Sequence, residues 1–272
     1  MINSDFHTHT IFCDGRLIPD EMVRAAINKG MTAIGFSGHS HTAFDESYCM
    51  SNENTNNYIN VISKLKAQHS DKIEIYLGIE RDFYSDIKDV SKFDYVISSV
   101  HFVNKDGKYL AVDESEEIFK KNVSDFYGGD YFAFCEDYYK TVMQSANLAC
   151  ADIIGHFDLV MKFNEEDRLF DTGNKRYISA VNEALYILAA KDKIIEVNTG
   201  AMSRGYRSVP YPMADILVKW NKLGGRIIFS GDAHDAEGLC YKFTEAERLA
   251  VKCGFKEAVI FKNGELVEVA LD

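Results

Sequence analysis

Seven of the eight histidines stand where extended segments end, and metal chemistry is what that placement suggests. His7 and His9 follow the apolar start Ile2 to Phe6, and His39 and His41 follow a second short apolar run. His101, His156 and His234 close three more such runs, Glu80 closes another, and Asp232 stands two residues before His234. Residues i and i+2 of an extended chain point to one side, so His7 and His9 can reach one centre, as can Asp232 and His234. Imidazole and carboxylate together suit Zn²⁺, Mn²⁺ or Fe²⁺, and a glutamate can bridge two such ions. A single histidine at a strand end is more often a hydrogen-bonded structural residue than a ligand. Five strand ends bearing histidine, with Glu80 and Asp232 beside them, point instead to a metal site. His69 falls near the end of a helix and is given no role.

The elements that must position these residues follow a repeating β–α pattern. Strands are expected near 2–6, 31–36, 73–79, 93–100, 151–155, 193–198 and 226–230, and helices near 19–29, 54–68, 130–148, 173–190, 212–223 and 242–253. Pro19 suits the first turn of its helix, and Gly30 suits the left-handed position just past the end. Gly224 and Gly225 lead into Ile227-Ile228-Phe229, apolar enough for a strand buried on both faces. Residues 104–130 are charged and less regular and are read as an excursion; 256–271 reads as strand, turn at Lys262-Asn263-Gly264, strand. With three prolines and no linker composition, residues 1–272 read as a single domain. In a parallel barrel all strand C-termini meet at one rim, where residues distant in sequence converge.

Composition sets the outer limits. A chain of 272 residues with 46% hydrophobic and 26% charged residues has material for one core of ordinary size. A net charge of −12 argues against nucleic acid as a partner held by a general basic field, yet leaves room for a small phosphorylated substrate, since bound cations can reverse the local potential. Cys13, Cys49, Cys135, Cys150, Cys240 and Cys253 form no C-x-x-C pair, which fits reduced, mostly buried thiols. No signal-peptide core follows Met1, and no apolar run approaches the roughly 18 residues that span a bilayer, so no membrane role and a cytoplasmic location are expected.

Six segments then carry a resemblance: His7-Thr8-His9, Ser37-Gly38-His39, Gly78-Ile79-Glu80, Ser99-Val100-His101, Gly155-His156-Phe157-Asp158 and Gly231-Asp232-Ala233-His234. In order and type they resemble the motifs of the PHP (polymerase and histidinol phosphatase) superfamily, from residue 5 to about 235. Phe93 to Phe102 with the insertion after it, a tyrosine-containing helix and Asp152 to Leu159 look most like histidinol-phosphate phosphatases. The resemblance implies an α/β fold, a distorted (β/α)7 TIM-like barrel with its active site at the C-terminal rim, holding three divalent ions (Zn, Mn or Fe). It implies His7, His9, Glu80 and Asp232 at the first ion, Glu80, His101 and His156 at the second, and His39 and His234 at the third. Many relatives have a further histidine for the third ion; here the stretch reads Cys13-Asp14-Gly15, and Asp14 is favoured as its ligand over a mere hydrogen-bond acceptor. His41 matches no family ligand.

Hydrolysis of a phosphate monoester needs a nucleophile, neutralised phosphoryl oxygens and help for the leaving oxygen. Water on divalent ions has a pKa lowered toward about 7, so a bridging hydroxide can attack phosphorus. There is no G-x-x-x-x-G-K-[ST] loop and no G-x-S-x-G elbow. Glu80, Asp232 and His234 are the candidates for catalytic roles. Arginine binds phosphate in bidentate fashion, and the loop after the sixth strand offers Arg204 or Arg207; Lys162 is the candidate for a basic residue that relatives carry after the G-H-x-D segment. Asp158 and Asn198 are candidates to orient ligands. Arg16 could reach the rim, and Tyr206 and Tyr211 could pack or touch substrate. The leading expectation is conversion of L-histidinol phosphate to L-histidinol and phosphate. The alternatives are another phosphoesterase of this superfamily, acting on a nucleotide, sugar phosphate or phosphotyrosine, and a non-catalytic metal-binding module.

Overall fold

The structure, a computed structural model, describes residues 1–148 and 151–271; Cys150 lies outside the described residues. From β1 (Ser4–Asp5) the chain passes through α1 (Pro19–Asn28) to β2 (Ala33–Phe36). It continues through α2 (Asn52–Gln68) to β3 (Glu74–Asp82) and β4 (Tyr95–Ser99). An excursion follows: the hairpin β5 (Phe102–Lys105) and β6 (Lys108–Ala111), then α3 (Glu116–Tyr127) and α4 (Tyr131–Ser145). The barrel resumes with β7 (Ile153–Ile154), α5 (Lys175–Ala190), β8 (Ile194–Asn198), the short α6 (Gly200–Ser203), α7 (Ala214–Lys222), β9 (Arg226–Ser230) and α8 (Phe243–Lys252). A hairpin of β10 (Glu257–Lys262) and β11 (Glu265–Ala270) ends the chain.

The strands β1-β2-β3-β4-β7-β8-β9 form one seven-stranded parallel sheet. Just past β1 and β9, Thr8 bridges Ala233: His9 N donates to Ala233 O at 2.8 Å and Ala233 N to His7 O at 3.0 Å. This bridge draws the sheet shut at its C-terminal end, giving the α/β barrel. Local chemistry sets the helices around it. Pro19 opens α1, Ser51 caps α2 through Asn54 N, and Asp130 caps α4 through the amides of Phe132 and Ala133.

The excursion is more regular than its composition suggests. Ser115 caps α3, and Gly128 ends it in the left-handed region at φ 59°. Phe119 and Val123 bury one stripe of that helix against the outer core. The alternation of Asn104 to Ala111 is short and its outward residues are charged, which hid the hairpin. β3 also runs further than expected, so Glu80 lies inside the strand rather than past its end.

Inside the barrel, Phe6, Tyr76, Tyr95, Ile97, Ile153, Ile194 and Ile228 pack with Val259 and Phe261 of β10. These residues lie near the strand starts, so the terminal hairpin closes the N-terminal end. Two larger apolar groups fill the space between strands and helices. Polar side chains are left to the other end.

Candidate metal centre

Six of the seven barrel strands, all but β8, deliver a candidate ligand to the C-terminal rim. His7 and His9 lie past β1, His39 past β2, Glu80 within β3, His101 past β4, His156 past β7, and Asp232 and His234 past β9. The rings form a chain in space: centroids lie 5.1 Å apart for His7–His9, 4.5 Å for His9–His39, 4.2 Å for His9–His234, 5.3 Å for His39–His101 and 5.0 Å for His101–His156. Three sets can each offer atoms within 4.8 Å of one another: His9, Asp14, His39 and His234; His7, His9 and Asp232; His39, Glu80 and His101. His156 joins through Nε2, 3.1 Å from Glu80 Oε1. Asp14 thus comes to the rim, 3.1 Å from His234 Nε2 and 3.7 Å from His39 Nε2.

The donors are placed without being satisfied. His7 Nε2, His9 Nε2, His39 Nδ1 and Glu80 Oε2 are buried atoms with no hydrogen-bond partner among the described residues. His7 Nε2 and His39 Nδ1 approach Glu80 Oε2 to 3.2 and 2.8 Å, but neither approach has the geometry of a hydrogen bond. Buried polar atoms are paired with few exceptions, so a cluster of exceptions calls for a missing partner. Divalent cations fit this donor set in charge and in ligand chemistry.

Electrostatics points the same way. Burial opposes charge on Glu80, yet His39, His7 and His101 hold its pKa well below the usual carboxylate range. Burial also opposes charge on Asp232, and Arg204 and His7 outweigh it. Burial, then the neighbouring His234 and His39, push His9 down to about 3, so its imidazole is neutral at neutral pH. His7 goes the other way: against burial, Glu196, Glu80 and Asp232 raise it well above the usual value. Two rim residues, Asp232 at φ +47° and His156 at φ +20°, adopt backbone conformations that side-chain-bearing residues seldom take.

Asp14, His39, Glu80, His101, His156, Asp232 and His234 line a cavity of about 350 Å³ together with Arg204, Lys162, Tyr48, Phe102, Asp113 and Tyr206. Arg204 Nη1 donates to Asp232 O at 2.8 Å, and Nη2 donates to Asp232 Oδ2 at 3.0 Å. Arg207 does not come to this cavity: it is buried, donates to Met161 O at 2.8 Å and lies over the Tyr211 ring. Its charge acts on Asp158, whose pKa is raised because burial outweighs the lowering by Arg207. Lys162 lines the cavity but is already held by Asp113 O at 2.7 Å and Oδ2 at 3.1 Å, above the Tyr206 ring. Tyr211 is a buried packing residue. His41 lies outside the cavity, between Asp86 and Glu46. Arg16 points outward to Asp235.

Sequence reading missed the buried carboxylates behind the rim. Asp82 accepts from His101 N at 3.0 Å and lies 3.2 Å from its Nδ1; Glu196 lies 2.7 Å from His7 Nδ1. Asp5 accepts from the amides of His7, Gly231 and Cys240, and burial raises its pKa to about 6. Alternation held a signal for two of them: Asp82 is two residues after Glu80, and Glu196 two before Asn198. Asn198 acts one step back, its Nδ2 donating to Glu196 Oε2 at 3.2 Å.

Known proteins share this architecture. The PHP domain family model matches residues 5–200, which leaves Asp232 and His234 beyond the match. A histidinol-phosphatase of Lactococcus lactis is 30% identical, with 95% of this chain and 94% of that protein covered. The histidinol-phosphatase of Bacillus subtilis is 27% identical over 89% of this chain and 97% of its own length. The structure of the Lactococcus lactis histidinol phosphate phosphatase, complexed with zinc, L-histidinol and phosphate, superposes with a TM-score of 0.67 at 25% identity, covering 97% of this chain and 98% of that one. A Listeria monocytogenes protein superposes with a TM-score of 0.76 at 20% identity, covering 89% and 99%, and shares the fold. With the match spanning most of the chain and the fold agreeing, the chain belongs to the PHP domain family.

Proposed function

We propose that the chain, working as one PHP-type domain, hydrolyses L-histidinol phosphate to L-histidinol and phosphate with divalent ions held at the barrel rim. The observation that carries this reading is the cluster of unpartnered, buried imidazole and carboxylate atoms, of which those of His39 and Glu80 belong to residues lining a cavity that also holds an arginine. His7, His9, Glu80 and Asp232 would hold one ion, Glu80, His101 and His156 a second, and Asp14, His39 and His234 a third, as zinc, manganese or iron. When bound, such ions supply Lewis acidity, neutralising phosphoryl oxygens and acidifying water.

The chain's own groups complete the reaction. Arg204, anchored on Asp232, keeps its remaining N–H groups for a phosphoryl oxygen. Asp232 stays ionised beside His7 and His9, 3.8 and 3.3 Å from their Nε2 atoms, where it would help hold the ion while it anchors Arg204. Besides the rim groups, Tyr48, Phe102, Asp45, Asp113 and Glu114 line the cavity, giving it an aromatic and acidic wall. An alcohol carrying an ammonium and an imidazole complements that wall, whereas a nucleotide would bring further anionic groups to it. The test is kcat/KM on a panel of histidinol phosphate, an aryl phosphate, a sugar phosphate and a nucleotide. Histidinol phosphate is expected to lead; equal or better turnover of the aryl phosphate would refute the assignment, and no turnover of any by metal-loaded protein would favour a binding module.

A further inference from the structure

We infer that Glu196 is a positioning residue for the metal centre, one buried carboxylate that fixes the ring of His7 and the backbone of His156 together. The inference rests on the proposed reading of those two histidines as ligands. Glu196 lies on the inner face of β8, between Ile194 of the barrel floor and Asn198, and is fully buried. Its Oε1 is 2.7 Å from His7 Nδ1, and its Oε2 accepts from His156 N at 3.1 Å and from Asn198 Nδ2 at 3.2 Å.

The Glu196 oxygens act as acceptors, Oε2 from two N–H donors and Oε1 toward the ring, so the shared hydrogen is assigned to His7 Nδ1. His7 Nε2 then faces Glu80 and Asp232, at 3.2 and 3.8 Å, as a buried nitrogen with no hydrogen-bond partner. A carboxylate on the second nitrogen sets a ligand's tautomer and orientation and makes it more basic. The other oxygen acts on a different strand. His156 has φ +20°, which a side-chain-bearing residue seldom adopts, and its N–H is tied to Glu196. Gly155 makes room for this approach: a Cβ there would lie 2.3 Å from Ser99 Oγ and 3.0 Å from Ile97 Cγ2. Asp82 plays a narrower part: His101 is the one histidine it touches, and its Oδ1 accepts from Tyr84 N. Glu196 instead couples ligands past β1 and β7.

The test compares chelator-stripped wild type, E196Q and E196A, titrated with Zn²⁺ against a competing chromophoric chelator, with melting of the metal-free proteins alongside. Glu196→Ala is expected to weaken zinc binding about 10- to 100-fold. Glu196→Gln keeps the shape and one acceptor but turns an NH2 toward the other donor, so its affinity should fall between the two. Metal-free E196Q should melt close to wild type, which separates positioning from a merely structural role and keeps the test valid if E196A fails to fold. Slow exchange of the His7 Nδ1 proton in zinc-loaded wild type, followed by ring-nitrogen NMR, should be retained better in E196Q than in E196A. Unchanged zinc affinity in E196Q and E196A would overturn this inference alone. Failure of the wild type to bind zinc would overturn it together with the metal reading.

Discussion

The two ends of the barrel use the same strands and treat polar atoms in opposite ways. At the N-terminal end, Phe6, Tyr76, Tyr95 and Phe261 pack edge to face or tilted, with centroids 5.0 to 6.3 Å apart. The one hydroxyl buried deep among them, Tyr95 Oη, donates to the carbonyl of Phe6, with that of Phe36 at 3.2 Å as a second, weaker acceptor. At the C-terminal end, His7, His9, His39 and Glu80 each keep a buried polar atom without a hydrogen bond among the described residues. Each such atom costs about 1–3 kcal/mol. The floor therefore stabilises the fold, and the rim holds a donor set that a cation would satisfy.

Substitutions can break that contrast. The largest effect on folding is expected at the floor, where Phe261→Ala should destabilise by about 3–5 kcal/mol, read from urea unfolding, with turnover per folded molecule little changed. Loss of turnover without loss of stability would erase the distinction. At the rim, Asp232→Ala should lower kcat/KM by about 10²–10³-fold or more while the metal-free protein unfolds no more easily than wild type. Undiminished hydrolysis in this variant would sink the catalytic reading of the rim.

A finer version of the contrast lies within one loop. Arg204 faces the cavity and Arg207 the packed interior, three residues on. Arg204→Ala should cost about 10- to 100-fold in kcat/KM, the worth of hydrogen bonds to a charged group. Arg207→Ala should leave KM almost unchanged and lower the unfolding midpoint, because Asp158 loses its buried counter-charge. The reverse pattern would exchange their roles.

Much of this was readable from the sequence, for a definite reason. Strand ends in a parallel barrel share one rim, so the histidines at 7, 9, 39, 101, 156 and 234 announce a centre without knowledge of contacts. The repeat of apolar runs gave strands and helices to within a few residues. What stayed hidden depends on packing. Asp82 ends β3 after Glu80-Arg81 and Glu196 stands mid-strand among apolar residues; alternation gives the face of each, but only packing decides which histidine it meets. Arg204 and Arg207 occupy a loop without periodicity, so only the fold decides which one turns inward. The excursion's hairpin and α3 are charged on their outer faces, which masks the buried stripe of Phe119 and Val123.

The most direct test is phosphate release from L-histidinol phosphate by chelator-stripped protein, before and after Zn²⁺ or Mn²⁺ is restored. The account predicts negligible release without metal and recovery on its addition, with no recovery in His9→Ala. Full activity in verified metal-free protein would contradict it.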